Sequence, residues 1–236
     1  MKLRTRVAIQ LTALCLLLGA YSFAADSSYL YIVNATPGRD LGSSVNPAYP
    51  IDVLINGVTC LPRNLAYGTT SVPLTLAPGT YDVQISQSNA LAACTNPAIV
   101  DSQVTLTAGE TMSAVLAISG SQLDLLQFID YLNPVTSGNS RFVFANTADA
   151  PELQATLTQA GVKNPLTFTL TASAGARQAT MVPYGTYTVD VTAVGSTTVL
   201  ASETIALPNQ SVTYTYAAGK ASQFLGLVNK AVPGVD

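Results

Sequence analysis

The residues of this 236-residue sequence that could carry chemistry are chiefly carboxylates, hydroxyls and tyrosines. The sequence has no histidine, no tryptophan and three cysteines. The lack of histidine removes a histidine-based catalytic triad, a histidine general base and a histidine metal ligand. A formal net charge of −3 also argues against a nucleic-acid partner, because phosphate backbones are bound by basic surfaces.

The motifs that normally identify an enzyme are missing from the sequence. We find no G-x-S-x-G elbow, no S-x-x-K pair, no calcium loop of the D-x-D-x-D-G kind and no phosphate loop. Thirteen Asp and Glu residues could still meet as a carboxylate pair for glycoside hydrolysis. Glycosidase clefts usually carry aromatic platforms, however, and tryptophan is absent. We therefore expect a protein that is not an enzyme and that needs no cofactor or metal.

Two carboxylates, Asp52 and Asp149, are candidate ligands for a metal or a sugar. Asp52 lies between Ile51 and Val53, so strand alternation favours a structural residue that faces solvent. Asp149 precedes Ala150-Pro151, where an Asp commonly accepts hydrogen bonds in a turn. The structural interpretation is favoured for both residues.

Tyrosine supplies the candidate recognition surface. Tyr49 lies in a segment rich in Gly, Ser, Asn and Pro, and Tyr67 lies in Ala66-Tyr67-Gly68. With Asp52 they form a candidate recognition patch, since exposed tyrosines are enriched at interfaces. The alternative is that Tyr67 packs beneath a loop.

The first 24 residues predict a signal peptide. Basic residues at Lys2, Arg4 and Arg6 precede the apolar run Val7–Ala20, and small residues at Ser22 and Ala24 fit a cleavage site after Ala24. A membrane anchor is the alternative, although the run is shorter than the roughly 20 residues that span a bilayer. We expect an exported mature chain with no transmembrane segment, in the periplasm, at the cell surface or secreted.

Cleavage would remove Cys15 and leave Cys60 and Cys94. A lone pair of cysteines in an exported protein predicts a disulfide. The pair does not have the C-x-x-C spacing of redox or metal motifs.

The remaining sequence is an imperfect tandem repeat. Leu76–Val83 recurs 106 residues later as Val182–Val189. Upstream, Tyr31–Asn34 matches Val143–Asn146, and downstream Leu126–Asp130 matches Leu225–Asn229. A repeat of this length suits a whole domain rather than a solenoid unit. We predict domains over 25–135 and 139–236.

Each half reads as short antiparallel strands. Apolar and polar residues alternate along Tyr81–Ser86, Leu166–Thr171 and Tyr187–Thr192, the pattern of a strand buried on one face. The ambiguous stretches 122–132 and 223–230 are also predicted to be strands. We expect an all-β protein of two tandem immunoglobulin-like, or transthyretin-like, antiparallel β-sandwiches.

Gly-Thr-Tyr occurs at the same place in both repeats, ending at Tyr81 and Tyr187. The glycine can take a positive φ in a tight turn, and the tyrosine begins the next strand. We predict that each hydroxyl reaches back to the backbone of the turn, as in the tyrosine corner of sandwich domains.

The succession of motifs resembles an exported bacterial family, domain of unknown function 4397. The residues that carry the resemblance are Val33–Pro37, Pro50–Gly57, Asn64–Thr69, Leu74–Tyr81 and Leu106–Glu110, with Asn146–Pro151 and Tyr184–Tyr187 in the second half. The family pattern is similar to V-x-N/H-A-S-P-D-A-P-x-V-D-V-Y-x-D-G followed by L-P-A-G-x-Y and L-x-A-G. The resemblance implies two tandem copies and supplies no catalytic residue. A weaker likeness, at the level of fold alone, is to the periplasmic adaptor of alginate acetylation.

These observations favour a non-catalytic binding or interaction module outside the cytoplasm, with an unidentified protein or glycan of the cell envelope as partner. The alternatives are a structural cell-surface or fibre component, whose strand edges would pair with neighbours, and an adaptor of exopolysaccharide modification. A carboxylate enzyme is the least favoured.

Overall fold

A computed structural model describes residues 27–42, 48–119, 122–131, 133–223 and 225–233. The predicted signal peptide and Cys15 lie outside the described residues. Within the described part, the chain forms sixteen β-strands and a short 3₁₀ helix, Gly38–Leu41. The described helices include none that is long and apolar enough to cross a membrane.

The first eight strands are β1 Ser28–Asn34, β2 Ile51–Ile55, β3 Thr59–Cys60, β4 Leu74–Leu76, β5 Gly79–Gln87, β6 Ala98–Leu106, β7 Thr111–Ser119 and β8 Gln122–Ile129. They form two four-stranded sheets, with orders β4-β1-β7-β8 and β3-β2-β5-β6. Strand β1 pairs in parallel with β7, and the other pairs are antiparallel.

The next eight strands are β9 Asn139–Asn146, β10 Glu152–Gln159, β11 Thr167–Ser173, β12 Arg177–Pro183, β13 Gly185–Ala193, β14 Val199–Leu207, β15 Ser211–Ala218 and β16 Gly226–Pro233. They repeat the topology of the first eight, with orders β12-β9-β15-β16 and β11-β10-β13-β14. Here too one pair, β9 with β15, is parallel. The predicted fold class, two tandem β-sandwiches, is confirmed, and both ambiguous stretches contain strands.

Side-chain alternation explains how each sandwich buries its core. In β13, Tyr187, Val189 and Val191 are buried, while the intervening residues are partly exposed. The buried side chains face a cluster that fills the space between the two sheets of the second repeat. An equivalent cluster, which includes Val53, Val83 and Ile85, fills the first repeat. Burial of this apolar area is the main force that holds the sheets together.

A third apolar cluster joins the two repeats. It combines Val33, Val115 and Phe128 of the first repeat with Tyr214 and Tyr216 of the second. All eight residues of β15 are buried, because one face of the strand lies in its own sandwich and the other lies in this seam. The seam therefore makes one packed body of the two sandwiches.

The structure corrects the predicted alignment of the last strand in each repeat. Ser113 pairs with Phe128, and the equivalent Tyr214 pairs with Lys230. Phe128 therefore corresponds to Lys230, whereas the sequence match placed it opposite Leu227. The error of three residues arises because a longer connection precedes β16 than precedes β8. The last strand of each repeat has apolar residues on both faces, so alternation alone did not determine how the two strands align.

Candidate functional site

Both repeats contain the predicted tyrosine corner. The Tyr81 hydroxyl donates a hydrogen bond to the carbonyl oxygen of Ala77 at 2.6 Å. The Tyr187 hydroxyl donates to the carbonyl oxygen of Pro183 at 2.9 Å. Gly79 and Gly185 are the first residues of β5 and β13, with φ of 158° and 153°, so the predicted positive φ is also confirmed. Each corner stabilises the turn before its strand, and we assign it a structural role rather than a binding role.

Loss of the Tyr187 hydroxyl should lower the stability of the fold and leave binding unchanged. Tyr187 is fully buried, and burial raises its pKa. Tyr187→Phe removes the donor to the partly buried carbonyl oxygen of Pro183. We expect the free energy of unfolding to fall by about 1 kcal/mol, with a smaller loss for Tyr81→Phe at its more exposed corner. Denaturant titration measures both changes. A Tyr187→Phe variant as stable as the parent would contradict a stabilising role for this bond.

Asp52 lies at the centre of the candidate site. It projects from the face of β2 opposite to the core residues Ile51 and Val53, as the alternation predicted. The prediction that it faces solvent is wrong, because its exposed fraction is 0%. The segment Ser88–Pro97 folds over that face of the sheet and covers the carboxylate.

Four hydrogen-bond donors surround the Asp52 carboxylate. Oδ1 accepts from the backbone N–H of Asn64 at 2.9 Å and from the hydroxyl of Ser88 at 2.9 Å. Oδ2 accepts from the backbone N–H of Cys94 at 3.1 Å and of Asn89 at 3.4 Å. Burial alone would raise the pKa of Asp52, but these donors outweigh it and lower the pKa below its ordinary value. The charged carboxylate is thus the anchor of the segment.

A disulfide provides the second anchor. Cys60 at the end of β3 is bonded to Cys94 with an S–S distance of 2.04 Å, which confirms the predicted pair. The two sulfurs and the Asp52 carboxylate lie within 4.8 Å of one another. Such a trio could hold a metal only as thiolates, and disulfide sulfurs are not thiolates. In the disulfide-bonded protein the trio is an anchor for the segment.

The segment Ser88–Pro97, here called the display loop, is also braced internally. The Asn89 side-chain oxygen accepts from the N–H groups of Leu91 and Ala92 at 3.0 and 3.3 Å. The Asn89 amide donates to the hydroxyl of Thr95 at 3.1 Å. At the tip of this braced turn, Leu91 is 98% exposed. No charged residue occurs in the loop, so its surface is neutral and its tip is apolar.

The candidate recognition patch is not assembled as predicted. Tyr49 is only 8% exposed and packs in the core of the first repeat, with its carbonyl oxygen bonded to the Asn34 amide at 2.9 Å. Tyr67 packs against the seam, where a side chain at Gly226 would overlap the Tyr67 hydroxyl. With Asp52 buried as well, the three residues do not form one exposed surface. The alternative for Tyr67, that it packs rather than binds, describes its place better.

Asp149 forms an isolated β-bridge with Lys220, and the expected hydrogen bonds from a turn to its carboxylate stay a prediction. Its N–H donates to the carbonyl oxygen of Gly219 at 2.8 Å, and its carbonyl oxygen accepts from Ala221 at 3.3 Å. The residue ties the start of the second repeat to the connection between β15 and β16.

Sequence analysis did not identify a buried ionic group that lies in the seam. Lys230 in β16 contacts Asp130, just after β8, and the hydroxyl of Ser113 in β7. Ser113 also donates to Asp130 Oδ1 at 2.8 Å. The three residues are separated by 17 to 117 positions in sequence, and none belongs to a recognisable motif. Only the packing of one repeat on the other reveals the group.

Aromatic rings enclose this group. The Lys230 ammonium lies 4.3 Å from the centroid of the Tyr31 ring and 4.4 Å from that of Tyr214. Burial is the main influence on Lys230 and lowers its pKa to about 8, although the Asp130 carboxylate acts in the opposite sense. Burial and the nearby Asp130 charge raise the pKa of Tyr214 and Tyr216. The seam is thus an environment that disfavours charge.

The fold and the site define a protein built as tandem β-sandwiches with a cross-linked, preorganised loop. More particularly, the chain belongs to the family described as domain of unknown function DUF4397, whose model matches residues 28–156, more than half of the chain. The match covers the first repeat, the first strand of the second repeat and part of its second strand. No curated protein matches the chain.

Several solved structures are similar at low identity. A proposed cell adhesion protein from Bacteroides uniformis is 8% identical, with 89% of this chain and 99% of that chain covered and a TM-score of 0.31. A proposed cell adhesion protein from Bacteroides ovatus is 9% identical, with 90% and 99% covered and a TM-score of 0.29. The TIE protein of Bacillus anthracis is 12% identical, with 83% of this chain covered and a TM-score of 0.29, and this chain spans 34% of its length.

Proposed function

We propose that this protein is a non-catalytic binding module that works outside the cytoplasm and contacts a protein or glycan of the cell envelope through its display loop. The single observation that supports the proposal is an apolar residue, Leu91, 98% exposed on a loop that is fixed at both ends. Loops held by a rigid scaffold are common sites of binding.

The energetics of binding favour such a loop. A flexible loop loses conformational entropy when it binds, and that loss weakens the affinity. Here the disulfide, the Asp52 carboxylate and the Asn89 side chain restrict the loop before any partner arrives. An exposed leucine on a restricted backbone can therefore enter a pocket of a partner at low entropic cost.

We extend the proposal to the second half of the chain as a further copy of the same family. Its eight strands repeat the sheet orders of the first half, including the single parallel pair. It lacks both the cysteine pair and the Asp52 carboxylate, since Gln154 occupies the equivalent position. The second copy would then serve as a support that holds the first through the seam.

Substitution of Leu91 tests the display loop. We expect Leu91→Asp to weaken binding to envelope glycans or envelope proteins at least tenfold, because a charge at the tip must be desolvated in the interface. The parent and variant proteins would be compared on a glycan array and with purified envelope fractions. The matched control is Val72→Asp, at a residue 77% exposed outside the loop. Equal binding by the parent and Leu91→Asp would contradict the proposed surface.

A further inference from the structure

The buried group in the seam brings a lysine amine against an aspartate carboxyl from the other repeat. Lys230 and Asp130 lie 100 residues apart, and their side chains are 3% and 1% exposed. We propose that this pair is a cross-linking site, at which the Lys230 amine and the Asp130 carboxyl condense to an isopeptide bond that joins the two repeats covalently.

The contacts assign a role to each carboxyl oxygen. Lys230 Nζ lies against Oδ2, which becomes the leaving oxygen. Oδ1 accepts a hydrogen bond from the Ser113 hydroxyl at 2.8 Å and becomes the amide carbonyl oxygen. The same donor would stabilise negative charge that develops on Oδ1 when the amine adds to the carboxyl carbon. The fold therefore holds the amine and the carboxyl in contact, with a hydrogen-bond donor already in place. Such proximity lowers the entropic part of the activation barrier, compared with a reaction between the two groups free in solution.

The surroundings favour a neutral product over an ion pair. Two unlike charges in a dry interior lose much of their hydration, and their attraction often repays that loss only in part. The Tyr31 and Tyr214 rings lie on the ammonium and exclude water from it. Burial lowers the pKa of Lys230 to about 8, so a neutral amine is accessible close to neutral pH. An amide removes both charges and keeps the hydrogen bond from Ser113.

The reaction balances without any other reactant. The ammonium first passes a proton to the carboxylate, which gives an amine and a carboxylic acid. The amine nitrogen then bonds to Cγ of Asp130, the bond from Cγ to Oδ2 breaks, and Oδ2 leaves as water with two protons. One ammonium and one carboxylate become one amide and one water, and no atom is oxidised or reduced. The product would link the end of β8 to β16 across the seam.

Intact-mass spectrometry of the mature, exported protein tests the proposal. We expect a mass below that of its sequence by one water molecule, in addition to the two hydrogens lost at the disulfide. Protease digestion should then yield a branched peptide that joins Lys230 to Asp130. In the Lys230→Arg variant, which keeps a positive charge but lacks the amine, the water loss and the branched peptide should both be absent.

A parent protein that has lost only the two disulfide hydrogens would overturn the proposal. So would a water loss that peptide sequencing places on other residues. Because the parent protein decides both points, the test remains valid even if Lys230→Arg fails to fold.

Discussion

Replacement of Asp52 by alanine is expected to lower the free energy of unfolding by about 3 kcal/mol. The substitution removes the acceptor for four donors, three of them backbone N–H groups, in a place that the display loop shields from water. Each buried donor left without a partner costs free energy, and bonds to a charged acceptor are stronger than neutral ones. Denaturant titration at neutral pH measures the loss.

The pH dependence of this loss follows from the sign of the pKa shift. The folded protein lowers the pKa of Asp52 below the value of 3.8 for a free carboxyl. The stabilisation is therefore fully present above the unfolded pKa and is lost as the pH falls through the folded pKa. The difference in stability between the parent and Asp52→Ala should accordingly shrink at acidic pH.

The second repeat supplies a matched control for Asp52. Gln154 occupies the equivalent register position, since Asp52 pairs with Ser86 and Gln154 pairs with Thr192 in the corresponding strands. Gln154 is only half-buried, so Gln154→Ala should change stability by less than about 0.5 kcal/mol. An equal effect of Asp52→Ala and Gln154→Ala would contradict the anchoring role of the carboxylate.

Removal of the disulfide should have a comparable effect. The bond closes a loop of 34 residues, and the Cys60→Ala, Cys94→Ala double variant should lose about 3–4 kcal/mol, mainly through greater freedom of the unfolded chain. Chemical unfolding of the variant, compared with the parent protein before and after reduction, measures the loss. If reduction or substitution left the unfolding midpoint unchanged, the disulfide would not be an anchor.

The two anchors should also depend on each other. Asp52 accepts a hydrogen bond from the N–H of Cys94. The disulfide fixes the position of Cys94, and the hydrogen bond to Asp52 depends on that position. Combined substitution of Asp52 and the cysteines should therefore cost measurably less than the sum of the separate losses. Strict additivity would show that the carboxylate and the disulfide act on independent parts of the loop.

Local patterns in the sequence determined the strands, the tandem arrangement, the disulfide and the tyrosine corners. Each depends on residues close together in the chain or, for the cysteines, on the presence of a single pair in a protein predicted to be exported. Alternation with a period of two also placed Asp52 correctly on the face opposite Ile51 and Val53. These features survive folding because backbone geometry alone gives a strand two faces.

Only the tertiary structure decided what covers each face. A period of two distinguishes two faces but does not say whether a loop from 36 residues away will close over one of them, as Ser88 does over Asp52. The same limit hid the seam, where Tyr67 and Lys230 are covered only because one repeat packs on the other. Burial is set by contacts between distant segments, and those contacts leave no periodic signal in the chain.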